Sequence, residues 1–141
     1  MAKIKMEGLD TMRALLEQRG AKVEGTVNHM LRAGAKVMRE EMQAAMKEYE
    51  LKDTGDMIKS VKSSKITRTK DGGKSISVAP QGLDRKGVPN AAKALVYEQG
   101  ASNYPARPWF TLAVERGSEK ALARMREVFD EEMSKAGGGT E

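Results

Sequence analysis

Few residues in this sequence have side chains that could act in catalysis, and the few that do are not spaced so that they could act together. His29 is the one histidine of the 141 residues, and there is no cysteine. A transition-metal site usually needs several His or Cys ligands, and nucleophilic catalysis needs a Ser or Cys next to its base. His29 lies beside an apolar helical stripe with no such partner, so we interpret it as an ordinary helix residue. We therefore expect no metal and no cofactor.

The segment "DGGKS" at residues 71–75 resembles a phosphate-binding loop only superficially. Such a loop has a longer glycine spacing and lies between a strand and a helix. Here the glycines separate two stretches rich in β-branched residues, which predicts a hairpin turn. Carboxylate pairs such as Glu40–Glu41 and the acids at 130–132 fall in helical patterns, where a solvated face is typical. We expect no enzymatic activity; the rival hypothesis, an enzyme of an unfamiliar family, predicts a deep pocket with strongly perturbed titratable groups.

The whole chain has a net charge of +5, and its excess of basic residues lies in the middle of the sequence. Between residues 59 and 74, a single acid, Asp71, accompanies a basic block of six residues: Lys59, Lys62, Lys65, Arg68, Lys70 and Lys74. Such a block is most often a solvated face, but it also suits a polyanion. A nucleic-acid-binding module that uses this block is therefore an alternative function, and it predicts steeply salt-dependent binding.

The segment "VYEQGASNYPARPWF" at residues 96–110 holds four of the six aromatic residues and two of the four prolines. Pro105 and Pro108 fix φ at two points and remove two backbone donors, so we expect a stiff connector. An aromatic platform for RNA needs rings on adjacent strands. The rings here surround a loop and a helix start, which does not match that arrangement.

Four residues of this segment are candidates for structural or interface roles. We expect Phe110 to fill the core, whereas Trp109 suits either the core or a subunit contact, where Trp is enriched. Glu98 and Arg107 flank the irregular part and could form an ion pair across it.

Apolar periodicity predicts the elements that position these residues. A stripe from Val23 to Tyr49 predicts a helix of about seven turns, which Gly25 and Gly34 could weaken or kink. A shorter helix is expected over residues 10–20, capped by Asp10.

Ile4–Met6 alternates like a short strand, and residues 80–92 form a loop. Residues 94–98 fit either a strand or a short helix. The last helix should begin at Pro108 and could bend or restart at residues 117–118, with Ser118 as the cap.

Three motifs in this order resemble the small head–tail joining and tail-completion proteins of long-tailed bacteriophages. The family pattern D-T-G-x-L-x-x-S-I corresponds to residues 53–61, with Met57 for Leu and Val61 for Ile. The pattern Y-A-x-x-V-E-x-G-T corresponds to residues 94–101, which keep the acid and the glycine but have Ala101 for Thr. The pattern P-A-R-P-F corresponds to "PARPWF" at residues 105–110. The resemblance extends over nearly the whole chain.

This resemblance implies an α+β fold in which a small antiparallel β-sheet is packed by a long N-terminal helix and a C-terminal helix. We expect one such domain over residues 1–135 and a flexible tail over 136–141. The implied function is structural: part of a ring, of six or twelve copies, at the head–tail junction (neck) or the upper end of the tail. Its partners would be neighbouring connector and tail proteins. The protein would pass from the host cytoplasm into the virion. No apolar run approaches the ~20 residues of a membrane span, so we expect no membrane association.

For this function, the aromatic and proline segment and the basic block give the candidate site residues. The candidates for the subunit interface are Tyr97, Glu98, Tyr104, Arg107 and Trp109. The candidates for non-specific contact with passing DNA are the basic residues Lys65, Arg68, Lys70 and Lys74. Contact with phosphates would need no reading of bases.

Overall fold

A computed structural model describes residues 2–6, 14, 23–51 and 55–138 of the chain. The helices are α1 (Val23–Glu48), α2 (Asp56–Lys59), α3 (Asn90–Gln99) and α4 (Trp109–Gly138). The strands are β1 (Ala2–Met6), β2 (Val61–Ser63), β3 (Thr67–Arg68) and β4 (Lys74–Pro80). The expected α+β fold is confirmed, with both long helices packed with an antiparallel sheet. The helix expected over residues 10–20 lies outside the described residues, apart from residue 14.

The long helix predicted from the apolar stripe is α1, and neither of its glycines breaks it. Its buried face includes Val27, Leu31, Met42 and Met46, spaced by threes and fours as the sequence indicated. Methionine is unbranched and adapts to irregular gaps, which suits a helix that contacts both the sheet and α4. α1 is thus the central element of the core.

α4 packs antiparallel along α1. Lys120 Nζ lies 2.7 Å from Glu41 Oε1, Arg116 pairs with Glu48, and His29 Nδ1 lies 3.0 Å from Glu132 Oε1. His29 is therefore an ordinary partner between the helices. α4 continues through Gly117 without a break, and a Cβ at this position would lie only 2.9 Å from Met38 Sδ on α1. The helices approach closely at this point.

The sheet is built around β4, with the order β1-β4-β2 and β3 also pairing with β4. In the register, Ile4 lies opposite Ile76, Val61 opposite Pro80, and Thr67 opposite Ser75. The expected hairpin joins β3 to β4, with the Thr69 N–H donating to Gly73 O at 2.9 Å. α1 packs on the face that carries Ile76 and Val78, which are almost fully buried.

The structure decides between the two alternatives for residues 94–98. They belong to a helix and not a strand, because Asn90 and Ala94 bury one side of α3 at the i, i+4 spacing. Ser118 does not cap a new helix; its hydroxyl donates to Val114 O at 2.7 Å within α4. α4 continues to Gly138, so residues 136–138 of the expected tail are helical, and residues 139–141 lie outside the described part of the chain. None of the described helices is long and apolar enough to cross a membrane.

Candidate functional site

Exposed apolar side chains are concentrated around α3. Among the described residues, six large apolar side chains are exposed, and five of them lie between residues 83 and 104. They are Leu83, Val88, Leu95, Val96 and Tyr104. We call the groove of about 320 Å³ lined by Val88, Ala92, Lys93, Val96, Tyr97 and Tyr104 the α3 surface. Contiguous apolar surface of this kind marks interaction sites more often than scattered single residues do.

Asp84 fixes the loop that borders the α3 surface. Its buried carboxylate accepts the backbone N–H groups of Lys86 and Val88, each at 2.9 Å, and the Lys93 ammonium at 2.6 Å. These hydrogen bonds, that from Lys93 above all, hold the pKa of the Asp84 carboxyl below its usual value. Because Val88 and Lys93 both line the groove, Asp84 sets its shape.

The first of the three sequence motifs anchors the same loop. Asp56, at the start of α2, accepts the Arg85 backbone N–H at 2.9 Å and the Arg85 guanidinium at 2.8 Å and 3.0 Å. Met57 and Ile58 bury the other side of α2, and the Ser60 hydroxyl donates to Met57 O at 2.6 Å. The described part of this motif, residues 55–61, thus holds Arg85 in the loop before α3.

The second and third motifs meet at the junction of α3 and α4. The Glu98 carboxylate accepts the Phe110 backbone N–H at 2.8 Å and the Thr111 hydroxyl at 2.6 Å, in the first turn of α4. The Arg107 backbone N–H donates to Tyr97 O at 2.7 Å. These contacts orient α3 rigidly relative to α4.

Gly100 makes the connection between α3 and the proline segment sterically feasible. Its φ is +77°, and a Cβ there would lie 2.8 Å from Ala106 N and 3.0 Å from Tyr104 O. The residues after it form a tight turn, in which Ala101 and Tyr104 exchange two backbone hydrogen bonds of 3.0 Å. This turn places Tyr104 at the edge of the α3 surface with 63% of its surface exposed.

The structure brings the five candidate interface residues together but gives them unequal exposure. Tyr104 is exposed, and Tyr97 is half-buried at the groove. The Arg107 guanidinium lies over the Tyr97 ring, 5.9 Å from its centroid. Glu98 binds the start of α4 and forms no ion pair with Arg107, because its two oxygens accept from Phe110 and Thr111.

Trp109 requires a correction as a candidate interface residue. Its surface is 0% exposed, and its indole N–H donates to Ala94 O at 2.8 Å, so the folded subunit offers no part of it to a neighbour. Phe110, expected to fill the core, is only half-buried and contacts Trp109 edge to face at 5.8 Å. Trp109 therefore takes the core position of its two expected alternatives, and Phe110 packs against the core without being enclosed by it.

The candidate DNA-facing residues do not all face solvent. Lys65, Arg68 and Lys74 line a groove of about 540 Å³ between α1 and the β2–β3 segment, which Lys70 does not reach. Lys74 is buried on the α1 side of the sheet, where its ammonium binds Glu24 and donates to Asn28 Oδ1 at 2.9 Å. Glu24 Oε2 also lies 3.9 Å from Arg68 Nη2. Lys74 is therefore a structural residue, and its assignment to a DNA-facing surface is wrong.

A second lysine-rich surface was not predicted from the sequence. The register places Lys3 opposite Ser77, Lys5 opposite Ser75, and Lys62 opposite Ala79, all on the face of the sheet away from α1. We call this the open sheet face, formed by Lys3, Lys5, Lys62, Thr67, Ser75, Ser77 and Ala79. The alternation of Lys3 and Lys5 with Ala2 and Ile4 was the available signal.

The pKa shifts within the described part of the chain arise from scaffold contacts. The Arg116 guanidinium lowers the pKa of Glu48, and the Thr69 hydroxyl lowers that of Asp71. In the same part of the chain, no group of three or more His, Asp or Glu side chains is arranged to hold a metal ion. Comparison of the sequence and fold with known protein families, curated proteins and solved structures finds no match.

Proposed function

We propose that this protein is a structural component of a long-tailed phage or prophage particle, forming part of a ring at the head–tail junction or the upper end of the tail. Two lines of reasoning support the proposal. The three sequence motifs occur in the order typical of that family over nearly the whole chain. In the fold, all three motifs position the loop, helix and turn that form the α3 surface.

The observation that carries the proposal is the concentration of exposed apolar side chains on residues 83–104. An isolated subunit gains nothing from exposing Val88, Val96 and Tyr104 together, whereas a neighbouring subunit that covers them gains burial of apolar area. Tyr is also among the residues that contribute most to binding at interfaces. We infer that the α3 surface is covered in the assembled ring.

The rigid support of α3 is consistent with assembly. Asp84, Asp56 and Glu98 fix the loop and helix through side-chain hydrogen bonds before any partner binds. A surface that is already ordered loses less conformational entropy on association. These hydrogen bonds thus lower the entropic cost of forming each contact between subunits, whether the ring has six or twelve copies.

Electron microscopy of purified particles carrying a labelled copy of the protein tests the proposal. We expect the label at the neck or at the upper end of the tail, in repeated copies around the axis, in contact with connector or tail proteins. Particles that contain no copy of the protein would contradict the proposal.

A nucleic-acid-binding module remains the second candidate function, and the lysines of the open sheet face favour it. The two candidates differ in where the protein is found. A binding module co-purifies with cellular nucleic acid in a salt-sensitive manner and is absent from particles. A ring component remains in particles after washing at high salt, since apolar contacts are not screened by salt.

A further inference from the structure

We propose that the open sheet face binds the phosphate backbone of duplex DNA without reading its sequence. This inference rests on the geometry of the sheet and goes beyond the proposed role in a ring. It also moves the DNA contact from the basic groove beside α1 to the opposite face of the sheet.

The lysines of this face form a spaced array. Lys3 and Lys5 are two residues apart on β1, which separates them by ~7 Å along the strand. Lys62 lies on β2, two strand positions away across β4, which corresponds to ~10 Å at the usual spacing of strands. All three side chains are exposed. Such an array presents three ammonium groups to an extended polyanion.

The surroundings of these lysines favour phosphate. A depression of about 460 Å³ adjoins Lys3 and Lys5 and is lined by strand and hairpin residues only, including Thr67, Lys70 and Ser75. Thr67 is exposed there, and its hydroxyl lies 3.1 Å from that of Ser75, which is buried. An exposed hydroxyl beside ammonium groups is typical of contacts to the DNA backbone.

Acidic side chains offset only part of this charge within the described residues. No carboxylate in the described ranges forms an ion pair with Lys3, Lys5 or Lys62. Asp71, the one acid lining the depression, accepts a hydrogen bond from the Thr69 hydroxyl, and this bond together with attraction to the Lys5 ammonium lowers the pKa of Asp71. In the groove beside α1, by contrast, Glu24 offsets the charges of Lys74 and Arg68. The open sheet face is therefore the stronger candidate.

Duplex DNA fits this face better than a single strand does. Binding of single strands relies on aromatic rings on which bases stack. The open sheet face has Lys, Thr, Ser and Ala side chains and no aromatic ring. Three phosphate contacts per subunit bind weakly, and this permits a duplex to move along the surface.

The test compares two variants of the full chain that remove the same charge. The site variant is Lys3→Gln/Lys5→Gln/Lys62→Gln, and the control is Lys36→Gln/Lys47→Gln/Lys135→Gln, which removes lysines of α1 and α4. Fluorescence anisotropy with a labelled duplex of about 30 base pairs, followed from low to high KCl, gives the salt dependence of binding. Circular dichroism and the melting temperature check that both variants fold.

We expect the site variant to reduce the slope of log K against log salt by about 2.7, or ~0.9 for each phosphate that is no longer neutralised, while the control keeps most of its slope. An equal reduction in both variants, or no reduction in either, overturns the proposal. Tighter binding of a single strand of the same length overturns the assignment to duplex DNA. The anisotropy assay measures the free subunit, so the absence of DNA binding would not contradict the ring proposal. The particle microscopy tests the ring proposal alone, so the absence of the label from particles would not contradict DNA binding by the open sheet face.

Discussion

Trp109 is the residue that joins α3 to α4 most directly, because its ring is fully enclosed and its indole N–H binds Ala94 O. We predict that Trp109→Ala lowers the free energy of unfolding by about 3–5 kcal/mol, as truncation of a buried aromatic does. Phe110→Ala should lose only about 1–2 kcal/mol, since Phe110 is half-buried. Urea unfolding measures both variants. A larger loss for Phe110→Ala would show that the burial of the two rings is misassigned.

Trp109→Phe isolates the contribution of the hydrogen bond. Phenylalanine keeps an aromatic ring but removes the indole N–H that donates to Ala94 O. Ala94 O keeps its α-helical hydrogen bond within α3, so the loss is that of one hydrogen bond, about 0.5–1.5 kcal/mol. We therefore expect Trp109→Phe to be intermediate between the wild-type protein and Trp109→Ala.

Gly100 is the second residue whose identity is dictated by its surroundings. A Cβ would strain the backbone at φ +77° and would also overlap Ala106 N and Tyr104 O. We predict that Gly100→Ala lowers the free energy of unfolding by about 3 kcal/mol or more. Gly72→Ala is the matched control, because Gly72 also has a positive φ but nothing lies near its Cβ position. The control should lose about 1 kcal/mol. Equal losses would mean that Gly100 is needed only for its backbone conformation.

At the scale of elements, α4 begins where a side chain from α3 binds its first turn. Glu98 accepts the free Phe110 N–H and places negative charge at the positive end of the helix dipole. We predict that Glu98→Ala costs about 1 kcal/mol, the typical loss of a helix cap, and that Glu98→Gln costs less because it keeps an acceptor. Chemical denaturation of the two variants measures this order. If Glu98→Gln were as unstable as Glu98→Ala, the stabilisation by Glu98 would come from its charge and not from its role as a hydrogen-bond acceptor.

The loop before α3 gives the fold a dependence on pH. The native pKa of Asp84 lies below its usual value, so its carboxylate contributes stability that is present above ~3.9, the usual pKa of Asp, and is lost as pH falls through the lower native pKa. We predict that Asp84→Asn melts at a lower temperature than the wild-type protein at neutral pH, and that this difference becomes smaller as pH falls below ~3.9. If the difference in melting temperature were unchanged in acid, the ionised carboxylate of Asp84 would not be the source of the lost stability.

The sequence predicted the elements with strong periodicity and missed features that depend on tertiary contacts. The stripe of α1 and the hairpin at residues 71–73 were predicted, because local spacing and turn chemistry determine them. Helix α3 is only ten residues long, and its type was decided by the burial of Asn90 and Ala94. The site residues were predicted less well, because the local sequence does not decide which side chains are buried. The sequence around Trp109 is compatible with a buried or an exposed ring, and that around Lys74 with a side chain on either face of the sheet.

At the scale of the whole molecule, two surfaces of different chemistry lie on different elements. The α3 surface is apolar and is formed by α3 and its flanking loops, whereas the open sheet face carries lysines on β1 and β2. In a ring, each subunit contacts its neighbours through two different patches. The open sheet face is not part of the α3 surface, so a contact made through the α3 surface does not use these lysines. This separation lets mutations at one surface leave the other intact.

The central claim is that the α3 surface contacts a neighbouring subunit in a particle. Val96→Asp places a charge on that surface, and Leu122→Asp is its matched control, because both side chains are about half exposed or more, at 49% and 61%. The measurement is the number of copies of each variant in purified particles, by quantitative mass spectrometry, after confirming that both variants keep the wild-type melting temperature. We predict that Val96→Asp reduces incorporation at least ~10-fold, since burying an unpaired charge costs more than the ~1.4 kcal/mol that corresponds to a tenfold change. Leu122→Asp should be incorporated at close to the wild-type level. Wild-type incorporation of Val96→Asp would contradict the claim.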